Sequence, residues 1–323
     1  MKRNFLTKIA FLFLLTNLLT ACAGSQSALS PKSPPLRVEF TQSWGDYTLL
    51  MAQEKGLFKE YGVQVEPVYY KTLSDAYADL ASGQIDGALI AVGDTINVDS
   101  NALMKVVAIS NNGSDNGVVV GPEINSITDL KGKTIGMLTG SQYELIVVNM
   151  LQSVNMSTGD VNIVVMNPED AVASLNTNQV QAAFTWEPFL SDTLSNGYKI
   201  IYPKEQTHLF PGLIVFSKSI VDKRPGDVRA FLKAWFQAVE YRMQREGETR
   251  DIAAKYLGMN AKNVPTDDHL KLYTLGDNKS LFDIKAANSI YSITKVTSDY
   301  LISNGVMAEQ IDPLELLDPA YLP

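Results

Sequence analysis

Apolar and polar side chains alternate over residues 37–41, the two-residue period of a strand, and the spacing becomes helical over 47–58 until Lys59-Glu60-Tyr61-Gly62 stops it. Residues 63–70 predict a second strand. A helix is expected over 74–80 with Ser74 as its N-cap, and Gly83 ends it before a buried strand over 85–92. Strands over 106–110 and 118–120 flank a turn-rich break from Asn111 to Gly117, and 212–217 reads as a return path between lobes. After Pro225, the side chains of Val228, Phe231, Leu232, Trp235, Phe236 and Val239 share one helical face, the pattern of core packing. Helices are expected over 250–257, 267–273 and 288–303.

The alternation of strand and helix repeats. Arg37-Val38-Glu39-Phe40 followed by Ser43-Trp44-Gly45-Asp46 recurs 95 residues later as Gly132-Lys133-Thr134-Ile135 followed by Leu138-Thr139-Gly140-Ser141. Asp75-Ala76, Leu80, Gln84-Ile85 and Ala88 recur at the same offset as Asp170-Ala171, Leu175, Gln179-Val180 and Ala183. Two halves with one plan predict an α/β clamshell whose cleft is lined by matching turns. The expected division is a leader over 1–21, a tether over 22–35, a first lobe of 36–116 plus 218–323, and a second lobe of 117–217 inserted through two hinge crossings.

A chain of 323 residues, 46% hydrophobic, is long enough to give each lobe its own core. Lys2, Arg3 and Lys8 precede a short apolar run, too short to span a bilayer and typical of a secretory leader. The single cysteine closes this leader: Leu19-Thr20-Ala21-Cys22 resembles the lipobox of bacterial lipoproteins, with Cys22 as the lipidated residue on an extracytoplasmic face of the cell envelope. Ser-, Ala- and Pro-rich residues 23–35 then act as a flexible spacer, and a domain with no further cysteine is held by its cores. Without the three basic residues of the leader, 24 of the 27 basic residues remain against 35 acidic ones, a net charge of −11 that disfavours nucleic acid as a partner. Metal and cofactor sites are not expected.

Both matching turns stand between a strand end and a helix start, where unpaired amides point outward and the helix dipole is positive. Trp186-Glu187-Pro188 ends the strand expected over 180–185, at the position of Ala91-Val92-Gly93 in the first half. Trp186 offers a flat face and Glu187 an acceptor. His208 and His269 fall in an expected loop and helix start, and with the one cysteine in the leader no nucleophile and base pair stands out, so catalysis is not expected.

Ala52-Gln53-Glu54-Lys55-Gly56-Leu57-Phe58, Gly83-Gln84-Ile85-Asp86, Leu130-Lys131-Gly132-Lys133-Thr134-Ile135-Gly136 and Trp186-Glu187-Pro188-Phe189 together resemble the periplasmic substrate-binding proteins of ABC importers, in the nitrate, sulfonate, taurine and thiamine-precursor branch. That resemblance implies a monomeric two-lobed binding protein that hands a small solute to permease and ATPase subunits. A sensor lipoprotein and a thiamine-pyrimidine synthase-like enzyme are the rival classes on similar scaffolds. Carried over by position, the pocket falls on Trp44, Asp46, Tyr47, Tyr70, Gly93, Asp94, Ser141, Tyr143, Trp186 and Glu187, with Asp277 and Phe282 added from the C-terminal part. Asp46, Asp94 and Glu187 cluster at these positions with no Arg or Lys expected beside them, which favours a cationic or N–H-rich solute such as a guanidinium, amine or pyrimidine; a sulfonate, taurine or nitrate oxoanion is the alternative. Replacing Cys22 by Ala is expected to leave unprocessed precursor and to release the protein from membranes; persistence of a processed, membrane-bound form in a cell-fractionation blot would reject lipidation at this residue.

Overall fold

A computed structural model describes residues 33–71, 73–98, 103–113, 116–139, 141–202, 210–266 and 270–323. The chain divides into the units Met1–Pro34 and Pro35–Pro323, and every strand and helix named below belongs to the second unit. Cys22 and the tether up to residue 32, like His208 and His269, lie outside the described residues.

Among the described residues, ten strands form two five-stranded sheets. The first contains β1 (Leu36–Phe40), β2 (Val65–Tyr69), β3 (Gly87–Ala91), β4 (Met104–Asn111) and β10 (Gly212–Ser217) in the order β2-β1-β3-β10-β4. The second contains β5 (Asn116–Val120), β6 (Thr134–Met137), β7 (Asn162–Val165), β8 (Ala182–Trp186) and β9 (Lys199–Tyr202) in the order β7-β6-β8-β5-β9. The orders are the same topology written twice. In each, three parallel strands are followed by an antiparallel fourth, β10 against β3 in one sheet and β5 against β8 in the other. β3 and β8 stand 95 residues apart (182 − 87), as do the starts of the helices Tyr47–Glu54 and Gln142–Gln152 (142 − 47), so the repeat read from the sequence is a repeat of structure.

Each fourth strand comes from the far side of a crossing. The chain leaves the first sheet after β4 to enter the second as β5, and leaves the second after β9 to return as β10. Residues 212–217, expected in the second lobe, therefore belong to the first sheet, and Asn116 opens the second. The sequence did not separate these because β10 is a short apolar run buried on both faces and suits either sheet.

Alternation then allocates side chains to cores. Leu213 and Val215 of β10 face a core shared with the second lobe, through Val118 and Val120 of β5 and Phe184 of β8, while Ile214 and Phe216 face a core beneath the helix Pro225–Arg242. Val119 and Ala183 turn to a third, smaller cluster with Met166, Leu175 and Leu190. The helix after β1 is shorter than expected. Gly56, at φ +70°, breaks it into Tyr47–Glu54 and Leu57–Glu60. The next helix begins at Leu73, which places Ser74 inside its first turn instead of at the cap. No helix forms over 270–273: Leu272 bridges Asn111 and the Tyr273 amide donates to the Ser110 carbonyl, so this segment extends along the edge of β4. Tertiary pairing overrides the local pattern there.

Under the Pro225–Arg242 helix, Phe231 stacks on Phe58 at 5.1 Å and on Trp235 at 6.1 Å and meets Phe216 edge-on at 5.1 Å. All four rings are buried. Phe231→Ala is expected to cost about 3–5 kcal/mol in urea unfolding; a loss below about 1 kcal/mol would show that this stack does not hold the first lobe.

Candidate functional site

Between the two sheets, at the carboxyl ends of β1 and β3, lies a cavity of about 80 Å³. Its wall is drawn from both lobes and both crossings: Thr41, Ser43 and Asp46 from the first turn, Leu89 to Ala91 from β3, Ser110 and Asn111 from β4, Gly113, Asn116, Phe210 and Gly212 from the crossings, and Tyr143 from the second lobe. The space exceeds what one water molecule needs and is partly open to solvent. An open groove of about 460 Å³ beside β7, lined by Val165, Asn167, Asp170 and Thr177 among others, is larger. It is built from one lobe alone, whereas a clamshell grips its solute between two.

The first turn is wound around Asp46. One oxygen of its carboxylate accepts from the Thr41 amide at 2.8 Å and the Thr41 hydroxyl at 2.7 Å, and the Ser43 hydroxyl accepts from the Gly45 amide at 3.2 Å. Behind the turn stands Arg242, 3% exposed, at the last position of its helix. Its guanidinium donates to the carbonyls of Trp44 and Gly45 and, at 2.9 Å, to the Thr48 hydroxyl, and it lies 4.6 Å from the centre of the Trp44 ring. Burial pulls the Arg242 pKa down to about 9, opposed by the nearby Asp46 charge, so it stays cationic at neutral pH. The expectation that no basic residue stands beside the carboxylates is thus corrected. Arg242 continues the apolar stripe by three residues from Val239, and a cation on such a stripe is the signal that could have found it.

The other expected residues divide by role. Asp94 accepts from the Tyr143 hydroxyl at 3.0 Å, a bond that joins the lobes across the cavity. Tyr143 packs on Phe184 at 5.2 Å and Trp186 at 5.0 Å, which puts Trp186 behind the cavity wall. Glu187 accepts from the amide (3.1 Å) and hydroxyl (2.9 Å) of Ser191, four residues on, and so closes the first turn of the helix Phe189–Ser195. Ser141 is the N-cap residue of Gln142–Gln152, and its hydroxyl donates to the Leu138 carbonyl at 2.8 Å. Tyr70 donates to Asp79 at 2.5 Å, and Gly93 is buried inside the helix Val92–Val98.

Several expected contacts do not reach the cavity. Trp44 is 7% exposed and lies in the first lobe's core, between Arg242 and Tyr47. Tyr47 is fully buried and donates to the Gln42 carbonyl at 2.9 Å. Asp277 caps the helix Leu275–Leu281 with Thr274 and pairs with Lys271 at 3.0 Å, and Phe282 packs against Tyr291. Of the residues expected from the sequence to bind solute, Asp46 and Tyr143 line the cavity directly. Sequence reasoning missed the polar wall of Ser110, Asn111 and Asn116, although the asparagine-rich break was visible as a hinge.

That break is tightly built. Gly113 has φ +68°, and a Cβ there would fall 1.9 Å from the Phe210 carbonyl oxygen of the other crossing. Its amide donates to Asn111 Oδ1 at 2.8 Å and its carbonyl accepts from Asn116 at 2.9 Å. The two crossings therefore touch beside the cavity, and the residues that set the hinge also form its wall.

Two α/β lobes of one topology, joined by two crossings and closed on a small polar cavity, define a clamshell solute-binding protein. Residues 46–248 match the family described as NMT1/THI5 like, and the chain belongs to that family. It is 25% identical to an aliphatic sulfonates-binding protein of Bacillus subtilis, over 100% of this chain and 96% of that one. An ABC transporter periplasmic binding protein of Brachyspira hyodysenteriae is 22% identical over 97% of this chain and 93% of its own. The fold is shared with the periplasmic aliphatic sulphonate binding protein SsuA from Escherichia coli at a TM-score of 0.70, with 17% identity, 88% of this chain and 92% of that one.

Arg242→Met is expected to destabilise the protein by about 3–5 kcal/mol, because it strands the Trp44 and Gly45 carbonyls and leaves Asp46 without its offsetting charge. Denaturant unfolding checks this. A cost near zero would mean that the turn holds itself.

Proposed function

We propose that this protein is the extracytoplasmic solute-binding component of an ABC-type importer, and that it captures a small oxoanion of the sulfonate class. The observation that carries the reading is how the acidic residues are employed. Asp46 serves Thr41, Asp94 serves Tyr143 across the cleft, and Glu187 serves Ser191 in its own helix. A carboxylate whose lone pairs are committed to protein donors is a poorer counter-ion for an incoming cation than its formal charge suggests.

Beside Asp46, the cavity wall consists of neutral hydroxyl and amide side chains, with the Arg242 charge behind the turn. Oxoanions suit such a lining, since neutral hydroxyls and amides can spread over three or four oxygens while Arg242 offsets the Asp46 charge. The name carried by the Bacillus subtilis relative supports the same class. The guanidinium, amine or pyrimidine solute that the sequence favours rests on a count of carboxylates that their hydrogen bonds do not support. Closure is a consequence: solute bridges the Thr41–Asp46 turn to Tyr143, and the Asp94–Tyr143 bond holds the lobes together. Anchoring through Cys22 and delivery to permease and ATPase subunits complete the proposed role.

Calorimetry with methanesulfonate, taurine, nitrate, guanidinium and a pyrimidine is expected to show sulfonate binding, weakened about fivefold or more in Ser43→Ala and changed less than about threefold in Glu187→Gln. Tight guanidinium or pyrimidine binding that collapses in Glu187→Gln would overturn the oxoanion reading.

A further inference from the structure

Glu39 is the one acidic residue of β1, on the face opposite Leu36, Val38 and Phe40, and its exposure is 0%. β1 and β3 pair only at Val38 with Gly87 and then part. The Glu39 carboxyl enters that gap: Oε2 accepts from the Leu89 amide at 2.9 Å, and Oε1 has no hydrogen-bond partner among the described residues. A fully buried carboxylate with one hydrogen bond would be very costly, and a second acid nearby makes it costlier. The group is also one contact from the cavity. Leu89, whose amide it holds, and Asp46, whose charge it feels, both line that cavity.

We propose that Glu39 is a positioning residue for anion selectivity: it stands as a neutral acid behind the cavity wall, so that the cleft accepts an anionic solute beside Asp46, and it ties the affinity for that solute to pH. The proposal rests on the oxoanion reading of the cleft. The charged and titratable groups around Glu39 are Asp46 on the turn, Tyr70 at the end of β2, and Tyr77 on the helix Leu73–Ser82, with Asp94 beside Tyr77 and Arg242 behind Asp46. Burial first, and the Asp46 charge second, push the Glu39 carboxyl well above the usual carboxylate range, against the lowering effect of the Leu89 amide. With a folded value above the unfolded one, the neutral acid favours the folded, anion-binding state at low pH, and this contribution is lost as pH rises through the folded value. An anion in the cavity would raise that value further.

The test combines infrared spectroscopy with binding, on the wild-type protein and Glu39→Gln, which keeps an acceptor for the Leu89 amide and cannot ionise. At neutral pH the wild type is expected to show a protonated-carboxyl C=O stretch that Glu39→Gln lacks. Methanesulfonate affinity of the wild type should fall more steeply with rising pH than that of Glu39→Gln, by about tenfold once Glu39 ionises, the effect of one added nearby charge. Absence of the band, or parallel pH profiles in the two proteins, overturns the assignment. Should Glu39→Gln not fold, a wild-type spectrum at neutral pH without the protonated-carboxyl band overturns it equally. If the band is present and no sulfonate binds at any pH, the oxoanion reading fails and the selectivity role falls with it, leaving a buried acid that serves the strands alone.

Discussion

A guanidinium placed where an aliphatic side chain would otherwise sit governs the first turn. Arg242 donates to the Trp44 and Gly45 carbonyls and offsets Asp46, and Asp46 in turn ties down Thr41. These contacts fix a loop at the carboxyl end of β1 that would otherwise expose two carbonyls and an acid to an apolar core. The arrangement is costly to assemble and costly to break, because each partner left alone would be a buried unpaired group. It also explains why Trp44 is buried. The indole covers the cation from one side, at 4.6 Å, and is therefore a wall of the Arg242 site instead of a face for solute.

The second lobe faces this turn across the cavity. It is joined to the first lobe by the Tyr143–Asp94 bond, by the contact of the crossings at Gly113 and Phe210, and by the core shared through Val118, Val120 and Phe184. The aromatic group of Tyr143, Phe184 and Trp186 stiffens the second lobe's side of the cavity, so that closing the lobes brings two preformed surfaces together. A binding protein of this kind gains selectivity when neither surface rearranges much on closure and the solute itself completes the polar contacts.

Much of this was legible in the sequence, and the reasons differ by level. The 95-residue repeat was visible because β3 and β8 must present the same alternation to equivalent cores, and apolar pattern is what sequence reports best. The home of β10 was not legible: a strand buried on both faces carries no mark of which sheet it joins, and only its pairing with β3 and β4 decides. The expected helix over 267–273 failed at 270–273 for a related reason, since a backbone bridge to Asn111 is invisible to a propensity argument.

Two of the expected site residues line the cavity, and the surroundings of the acids were not legible. Asp46 and Tyr143 were expected from the family resemblance carried over by position, while the hydrogen-bond partners of the acids were not legible, because a sequence lists acids without them. Three carboxylates near a cleft look like a cation site until each is seen to hold a protein donor. The missing basic group, Arg242, lies about 200 residues from the turn that it stabilises, and spacing arguments do not reach that far. Glu39 shows the same limit from the other side. Its place in an alternating strand marks it as inward-facing, yet whether an inward acid is ionised depends on the gap between β1 and β3, on the Leu89 amide and on Asp46, all of which the fold brings together only once both halves of the first sheet are formed.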